Sequence, residues 1–119
     1  MTTINLFQNV TDVEVYTAGQ TIFSEGQPGK LMYVVQEGQI TILYKGREID
    51  AAGPGGVIGE MALIDDLPRS ATAVAATDCK LVPIDERRFT FLVQQTPMFA
   101  LSVMRIMAER LRRRLSGVA

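Results

Sequence analysis

The sequence predicts an α+β fold in which a β-rich body comes first and two helices follow it. Up to about Asp85, short apolar runs alternate with glycines, and turn signals recur every eight to twelve residues or so. After Asp85 the apolar residues recur at three- and four-residue spacing, which is the period of a helix. No repeat or composition break divides the 119 residues, so we expect residues 1–119 to form a single domain.

The β-rich part contains apolar runs that are typical of strands. Residues 31–35 and 40–44 are rich in β-branched and aromatic side chains. Glu37-Gly38 separates these two runs and Lys45-Gly46 follows the second, so both pairs are predicted to be hairpin turns. Short strands joined in this way indicate a sandwich, a roll or a barrel.

The helical part begins at a capping residue. Asp85 can cap a helix that ends near Gln95, and Thr96 can cap a second helix with Pro97 at its first position. The second helix carries an apolar stripe at helical spacing, formed by Ala100, Val103, Met104, Met107, Leu111 and Leu115. We expect Met104, Met107 and Leu111 to pack on the β body or on a partner helix rather than on a ligand.

Composition excludes several classes of function. The chain has no histidine, which removes Ser-His-Asp and Cys-His catalysis and most zinc sites, and we expect no enzyme activity and no metal. Its single cysteine, Cys79, allows no internal disulfide and is expected to be buried. A formal net charge of -1 argues against general nucleic-acid binding. No secretory signal or spanning apolar run is found, so we expect a cytoplasmic protein without membrane contact.

One glycine-rich segment, residues 53–76, combines the groups that bind a phosphate. Gly59 precedes a short run that can form one or two helical turns, whose first backbone N–H groups suit an anion. Arg69 and Ser70 follow the next turn and can donate to phosphate oxygens, while Glu60 offers an acceptor for a sugar hydroxyl. The segment lacks the Gly-Lys-Ser/Thr of a P-loop and the third glycine of a Rossmann fingerprint.

These residues resemble a known family. Gly59-Glu60-Met61-Ala62-Leu63 followed by Pro68-Arg69-Ser70-Ala71 is similar to the phosphate-binding cassette of cyclic nucleotide-binding domains. Such domains occur in catabolite-activator-type regulators, regulatory subunits of cAMP-dependent kinase and cyclic nucleotide-gated channels. The segments at 22–26 and 32–35, Gly38 and the glycines at 53–56 also match, so the resemblance covers about Val15 to Leu111.

The resemblance implies a fold and a set of ligand contacts. It implies an antiparallel, jelly-roll-like β-roll over about 13–84, a short phosphate-binding helix, and C-terminal helices over about 85–116. The implied phosphate contacts are Arg69, Ser70 and the Ala71 amide, and the implied ribose contacts are Glu60 and Gly59. The implied base pocket is formed by Ile42, Ile49 and Ala71. Serine rather than threonine beside the arginine favours cAMP over cGMP.

The C-terminal helix ends in a basic run. Residues 98–116 contain five arginines and one acidic residue, Glu109. The charges can serve as a solvated helix end, whereas the resemblance makes Arg113 and Arg114 candidate lid residues over the base. The same helix is a candidate surface for a homodimer or an effector protein, and direct DNA binding is not expected.

Two functional hypotheses follow. The first is a cyclic nucleotide-binding regulatory module whose C-terminal helix moves when the ligand binds. The second is a domain of the same fold that mediates dimerisation or protein interaction without a nucleotide. The chain is interpreted either as a free-standing sensor or as the sensor fragment of a transcription regulator or channel.

Overall fold

Two four-stranded antiparallel sheets form the body of the protein. The computed structural model describes residues 1–118, with side chains as far as Ser116. Within that range the sheets have the strand orders β1-β8-β3-β6 and β2-β7-β4-β5. The strands are β1 (Glu14–Tyr16), β2 (Thr21–Phe23), β3 (Met32–Glu37), β4 (Ile40–Tyr44), β5 (Arg47–Ala52), β6 (Val57–Ile58), β7 (Thr72–Ala75) and β8 (Cys79–Ile84). The helices are α1 (Met61–Ile64), α2 (Glu86–Gln95) and α3 (Met98–Val118).

This architecture confirms the predicted α+β class, with an antiparallel roll, a short helix and two C-terminal helices. The N-terminus of α2 is also as predicted, because the Asp85 side chain accepts a hydrogen bond from the Arg88 backbone N–H at 2.8 Å. Cys79 is buried at the start of β8, as expected for a small apolar side chain.

The hairpin predicted at Lys45-Gly46 is present, whereas the prediction of a hairpin at Glu37-Gly38 is wrong. Lys45 and Gly46 both have positive φ and join the paired strands β4 and β5, as a tight hairpin turn requires. Strands β3 and β4 do not pair, because they belong to opposite sheets. Gly38 between them has a φ of 93°, and a Cβ on it would overlap the Asp78 carbonyl oxygen. The chain therefore crosses between sheets here, in a conformation that requires glycine.

Two apolar clusters hold the layers together. The first fills the space between the sheets, and the second lies between the β1-β8-β3-β6 sheet, the two long helices and the N-terminal segment. Helix α3 contributes Phe99, Val103 and Ile106 to the second cluster. Met104, Leu111 and Leu115 are exposed, so the buried face is rotated relative to the predicted stripe.

The N-terminal segment ties α3 to the roll. The Thr2 backbone N–H and hydroxyl both donate to the Glu109 carboxylate on α3. The Ile4 backbone N–H donates to the Gly55 carbonyl at 2.7 Å, beside the start of β6. These bonds fix the position of α3 next to the loop that leads into α1.

Candidate functional site

A cavity of about 420 Å³ lies between the β2-β7-β4-β5 sheet, α1 and α3. Its walls are mainly apolar, with charged groups at separate places along them. Seven of the nine candidate ligand-contact residues named from the sequence line it: Ile42, Gly59, Glu60, Arg69, Ser70, Ala71 and Arg114. The fold therefore brings together residues that lie far apart in the chain.

The backbone at Gly59 is shaped around Arg69. Gly59 has a φ of 72°, and a Cβ on it would lie 2.6 Å from the Arg69 Nη1 and 3.1 Å from the Leu31 carbonyl oxygen. Only glycine combines this conformation with such a close approach. Helix α1 begins directly afterwards, with Glu60 as its N-cap residue.

Arg69 is a buried cation with few partners. Its side chain is 8% exposed, and its Nη1 donates to the Gly59 carbonyl at 3.3 Å. Its Cζ lies 4.1 Å from the centre of the Phe23 ring, while its Nε has no hydrogen-bond partner in the part of the chain that the structure describes. Among the residues whose side chains are described, no carboxylate forms an ion pair with it.

The electrostatics of Arg69 follow from this burial. Desolvation lowers the pKa of the guanidinium from its ordinary value, and the nearby Tyr33 and Glu60 partly counteract that shift. Because an arginine remains protonated at any physiological pH, the site keeps a positive charge that water does not screen well. Such a charge favours the entry of an anion.

Gly29 is a second glycine that the position of Arg69 requires. A Cβ on Gly29 would overlap the Nε and Cζ atoms of Arg69. The sequence shows Gln27-Pro28-Gly29 only as a turn signal. Gly29 leaves room for the guanidinium of a residue 40 positions further along the chain. No local sequence pattern indicates this contact.

Glu60 is buried as an ion pair. It is 7% exposed, and its Oε1 accepts a hydrogen bond from the Arg110 Nη1 at 3.0 Å. Arg110 also donates to the Val57 carbonyl, and its Nε lies 3.6 Å from the Asp50 Oδ2. Sequence reasoning had grouped Arg110 with the basic helix end. In the structure it reaches the predicted sugar-binding carboxylate.

A β-bulge changes which residue of β5 faces the cavity. Ile42 pairs with Asp50 and Leu43 pairs with Glu48, so Ile49 is the extra residue. Asp50 lines the cavity, whereas Ile49 lies outside the lining and packs on the inter-sheet cluster. Ile49, which the resemblance assigned to the base pocket, therefore does not line this cavity.

The two candidate lid residues occupy different places. Arg114 lines the cavity. Arg113 does not line it, and its half-exposed guanidinium donates to the Asp50 carboxylate at 3.1 Å. Met107 and Leu111 also line the cavity, and Met107 packs on the second cluster, as expected for a residue that contacts the body of the protein.

The end of the cavity next to Arg69 offers small polar groups. Ser70 is exposed, and its hydroxyl lies 3.8 Å from the Met61 sulfur, a weak contact that a better acceptor can replace. Ala71 is buried just before β7. A ligand that fits this cavity has an anionic end at Arg69, a hydroxyl near Glu60 and an apolar, flat remainder.

Comparison with known proteins identifies a matching family model and related sequences. A family model described as the cyclic nucleotide-binding domain matches residues 13–96. The chain is 39% identical over 83 residues to the cAMP-dependent protein kinase regulatory subunit of Eremothecium gossypii, covering 70% of this chain and 18% of the relative. It is 32% identical over 103 residues to the Cyclic AMP receptor protein of Thermus thermophilus, covering 82% of this chain and 48% of the relative.

Solved structures agree with these relatives. The catabolite activator protein of Thermus thermophilus has a TM-score of 0.78 and 28% identity, and the match covers 95% of this chain and 61% of that one. The chain spans about half, or less, of the curated relatives described above. In the part that the structure describes, no helix is long and apolar enough to cross a bilayer. Since the family model covers most of its length, this chain belongs to the cyclic nucleotide-binding domain family.

Proposed function

We propose that this domain binds cAMP and acts as a regulatory module. Arg69 carries the proposal, because it is a cavity-lining cation that is buried without a carboxylate partner among the described side chains. Burying an unpaired charge is costly. A bound cyclic phosphodiester removes that cost by placing a single negative charge beside the guanidinium, with Ser70 and the Ala71 amide as further donors.

The sugar end of the ligand is assigned to Glu60. Arg110 bonds Oε1 of this carboxylate, so Oε2 is left to accept the ribose 2′-hydroxyl. Gly59 contributes backbone at the same place. Ile42 and Ala71 supply apolar wall for the base, and Arg114, which lines the cavity from α3, is the proposed stacking partner of the base.

The preference for cAMP rests on two observations. The relatives are named for cAMP, as the kinase regulatory subunit and the Cyclic AMP receptor protein. The residue after the arginine is Ser70, which lacks the extra methyl of threonine. We expect cGMP to bind more weakly.

Helix α3 is the element that would report binding. It contributes Met107, Arg110, Leu111 and Arg114 to the cavity wall. A ligand hydroxyl on Oε2 shares the carboxylate that Arg110 bonds through Oε1, and it therefore changes the strength of that ion pair and the stability of α3 against the roll. A population shift between two α3 arrangements follows if the ligand binds one of them better.

Calorimetric and thermal-shift titrations with cAMP, cGMP and linear 5′-AMP test the proposal. We expect cAMP to bind most tightly and to be recovered unchanged, since the proposed role is binding and not hydrolysis. At a ligand concentration 100 times Kd, the stabilisation should be about 2.7 kcal/mol. If none of the three nucleotides shifts the melting temperature, the proposed function is wrong.

A second candidate is dimerisation through α3. Leu101, Met104, Ala108, Leu111 and Leu115 follow the three-four spacing of a coiled-coil seam, and Met104, Leu111 and Leu115 are exposed. Sedimentation of the free protein and of Met104→Glu tests it. A dimer that the substitution dissociates supports this role, and a wild-type monomer at high concentration contradicts it.

A further inference from the structure

The ring of Phe23 lies against the Arg69 guanidinium at the wall of the cavity. Phe23 ends β2, and the Arg69 Cζ is 4.1 Å from its ring centre. On the cavity wall Phe23 is also stacked with Tyr33, with ring centres 6.4 Å apart and an angle of 19° between the planes. A Cβ on Gly59 would lie 3.3 Å from the Phe23 Cε2, so ring and guanidinium are packed in one tight group.

The contact with the Phe23 ring explains how the buried Arg69 guanidinium is held in position without a carboxylate partner among the described side chains. Among the described residues, Arg69 donates to the Gly59 carbonyl at 3.3 Å and its Nε has no hydrogen-bond partner. An arginine side chain loses considerable rotamer freedom when it is held in one position. The negative face of an aromatic ring attracts a cation within about 6 Å of its centre, and more strongly when water is excluded.

A ring differs from a carboxylate in a way that matters for an anion site. A carboxylate partner would neutralise the guanidinium and would have to be displaced by an incoming phosphate. The ring attracts the cation without neutralising it and without an oxygen that competes for the N–H donors. Phe23 can therefore order Arg69 in the empty protein while the positive charge remains available.

We propose that Phe23 is the positioning residue of the phosphate site, which holds the Arg69 guanidinium ready for an anion through the face of its ring. The proposal rests on the proposed function, because Arg69 is taken as the phosphate-binding group. It adds that affinity depends on the electron density of one phenyl ring that need not touch the phosphate.

Graded fluorination of Phe23 tests this role. Mono-, di- and trifluorophenylalanine at position 23 keep the shape of the ring nearly unchanged and weaken its negative face step by step. We expect the affinity for cAMP to fall progressively, by about three- to tenfold at the trifluoro ring. Phe23→Leu should lose at least as much, and Phe23→Tyr should stay within about twofold of wild type because it keeps the ring.

The matched control is the same series at Phe89. That ring packs edge to face on Phe99 at 5.4 Å in the second cluster, and no cation contact is found for it among the described side chains. Fluorination there should leave affinity within about twofold. A flat series at Phe23, or an equal decline at both positions, overturns the proposal.

A ligand-free measurement separates this proposal from the proposed function. The Arg69 Nε–Hε signal, assigned by its loss in Arg69→Lys, should be shifted upfield by the ring and exchange slowly with water. In Phe23→Leu it should move toward the position of a free arginine. An unmoved signal overturns the role of Phe23 whether or not a nucleotide binds, whereas failure of wild type to bind any cyclic nucleotide overturns the proposed function instead.

Discussion

Two of the charged groups that line the cavity, Arg69 and Glu60, are almost equally buried, yet one lacks an ion-pair partner among the described side chains and the other has one. Arg69 is 8% exposed and Glu60 is 7% exposed. Arg69 has an aromatic ring and one carbonyl as neighbours, but no ion-pair partner among the described side chains. Glu60 is ion-paired with Arg110 at 3.0 Å. Burial alone therefore does not determine whether a charged group is ion-paired or available to a ligand.

The difference assigns separate tasks to the two ends. At the Arg69 end, an anion meets a cation that loses no partner on binding, so most of the binding free energy is expected there. At the Glu60 end, a hydroxyl must share a carboxylate that already holds α3 through Arg110. That end is expected to give less affinity and to connect the ligand to the helix.

The largest effect is expected from removing the unpaired cation. Arg69→Met should weaken cAMP binding by about tenfold to a hundredfold or more, because a charge-assisted hydrogen bond contributes about 1.5–3 kcal/mol. The melting temperature of the free protein should stay equal or rise, since an apolar side chain replaces a buried charge. Calorimetry and thermal denaturation measure the two quantities, with Arg69→Lys as the charge-retaining control. Unchanged affinity in Arg69→Met would contradict the assignment of the phosphate end.

A smaller loss is expected from Gly29→Ala, which leaves the charge in place and displaces it. The new Cβ would overlap the Arg69 Nε, so the guanidinium must shift. We expect a loss of about tenfold in affinity, equivalent to about 1.4 kcal/mol. Gly53→Ala is the matched control, because the three heavy atoms nearest its Cβ all belong to the Gln39 side chain. Equal affinities in the two variants would show that the absence of a side chain at Gly29 is not needed for ligand binding.

At the paired end, Glu60→Gln should lower the affinity for cAMP by about two- to tenfold, the range of one ordinary hydrogen bond. The affinity for 2′-deoxy-cAMP should change by no more than about twofold, since that ligand lacks the hydroxyl. Parallel titrations of both ligands measure the difference. If both lose affinity equally, Glu60 acts through the position of α3 and not on the ribose.

The smallest effect is expected at the ion pair between Arg113 and Asp50. Water screens the Arg113 side chain, which is 48% exposed, and Asp50, which is 10% exposed, keeps the Arg110 Nε at 3.6 Å when Arg113 is removed. Arg113→Ala should reduce the free energy of unfolding by less than about 1 kcal/mol and leave cAMP affinity within about twofold. Denaturant unfolding at low and high salt measures the first quantity. A large affinity loss would return Arg113 to the role of a lid.

Several features of the fold and the site followed from local residue patterns. The change from glycine-punctuated runs to helical spacing at Asp85 predicted the order of sheets and helices, because each period reflects the geometry of one element. The segment from Gly59 to Ala71 placed the candidate anion-binding groups within one short stretch of chain. The face of α3 was predicted less well, since an apolar position on a helix does not say which neighbour it meets.

The chemistry of the short segment around Gly59 and Arg69 was thus determined by the sequence itself, because residue type and spacing are local properties. Tertiary structure alone decided that Arg110 forms an ion pair with Glu60. It also decided that Gly29 and Phe23 contact the Arg69 guanidinium. The β-bulge, which directs Asp50 rather than Ile49 toward the cavity, is likewise a tertiary feature. These are contacts between distant parts of the chain. They depend on strand register and on side chains meeting across layers, which no spacing along the sequence encodes.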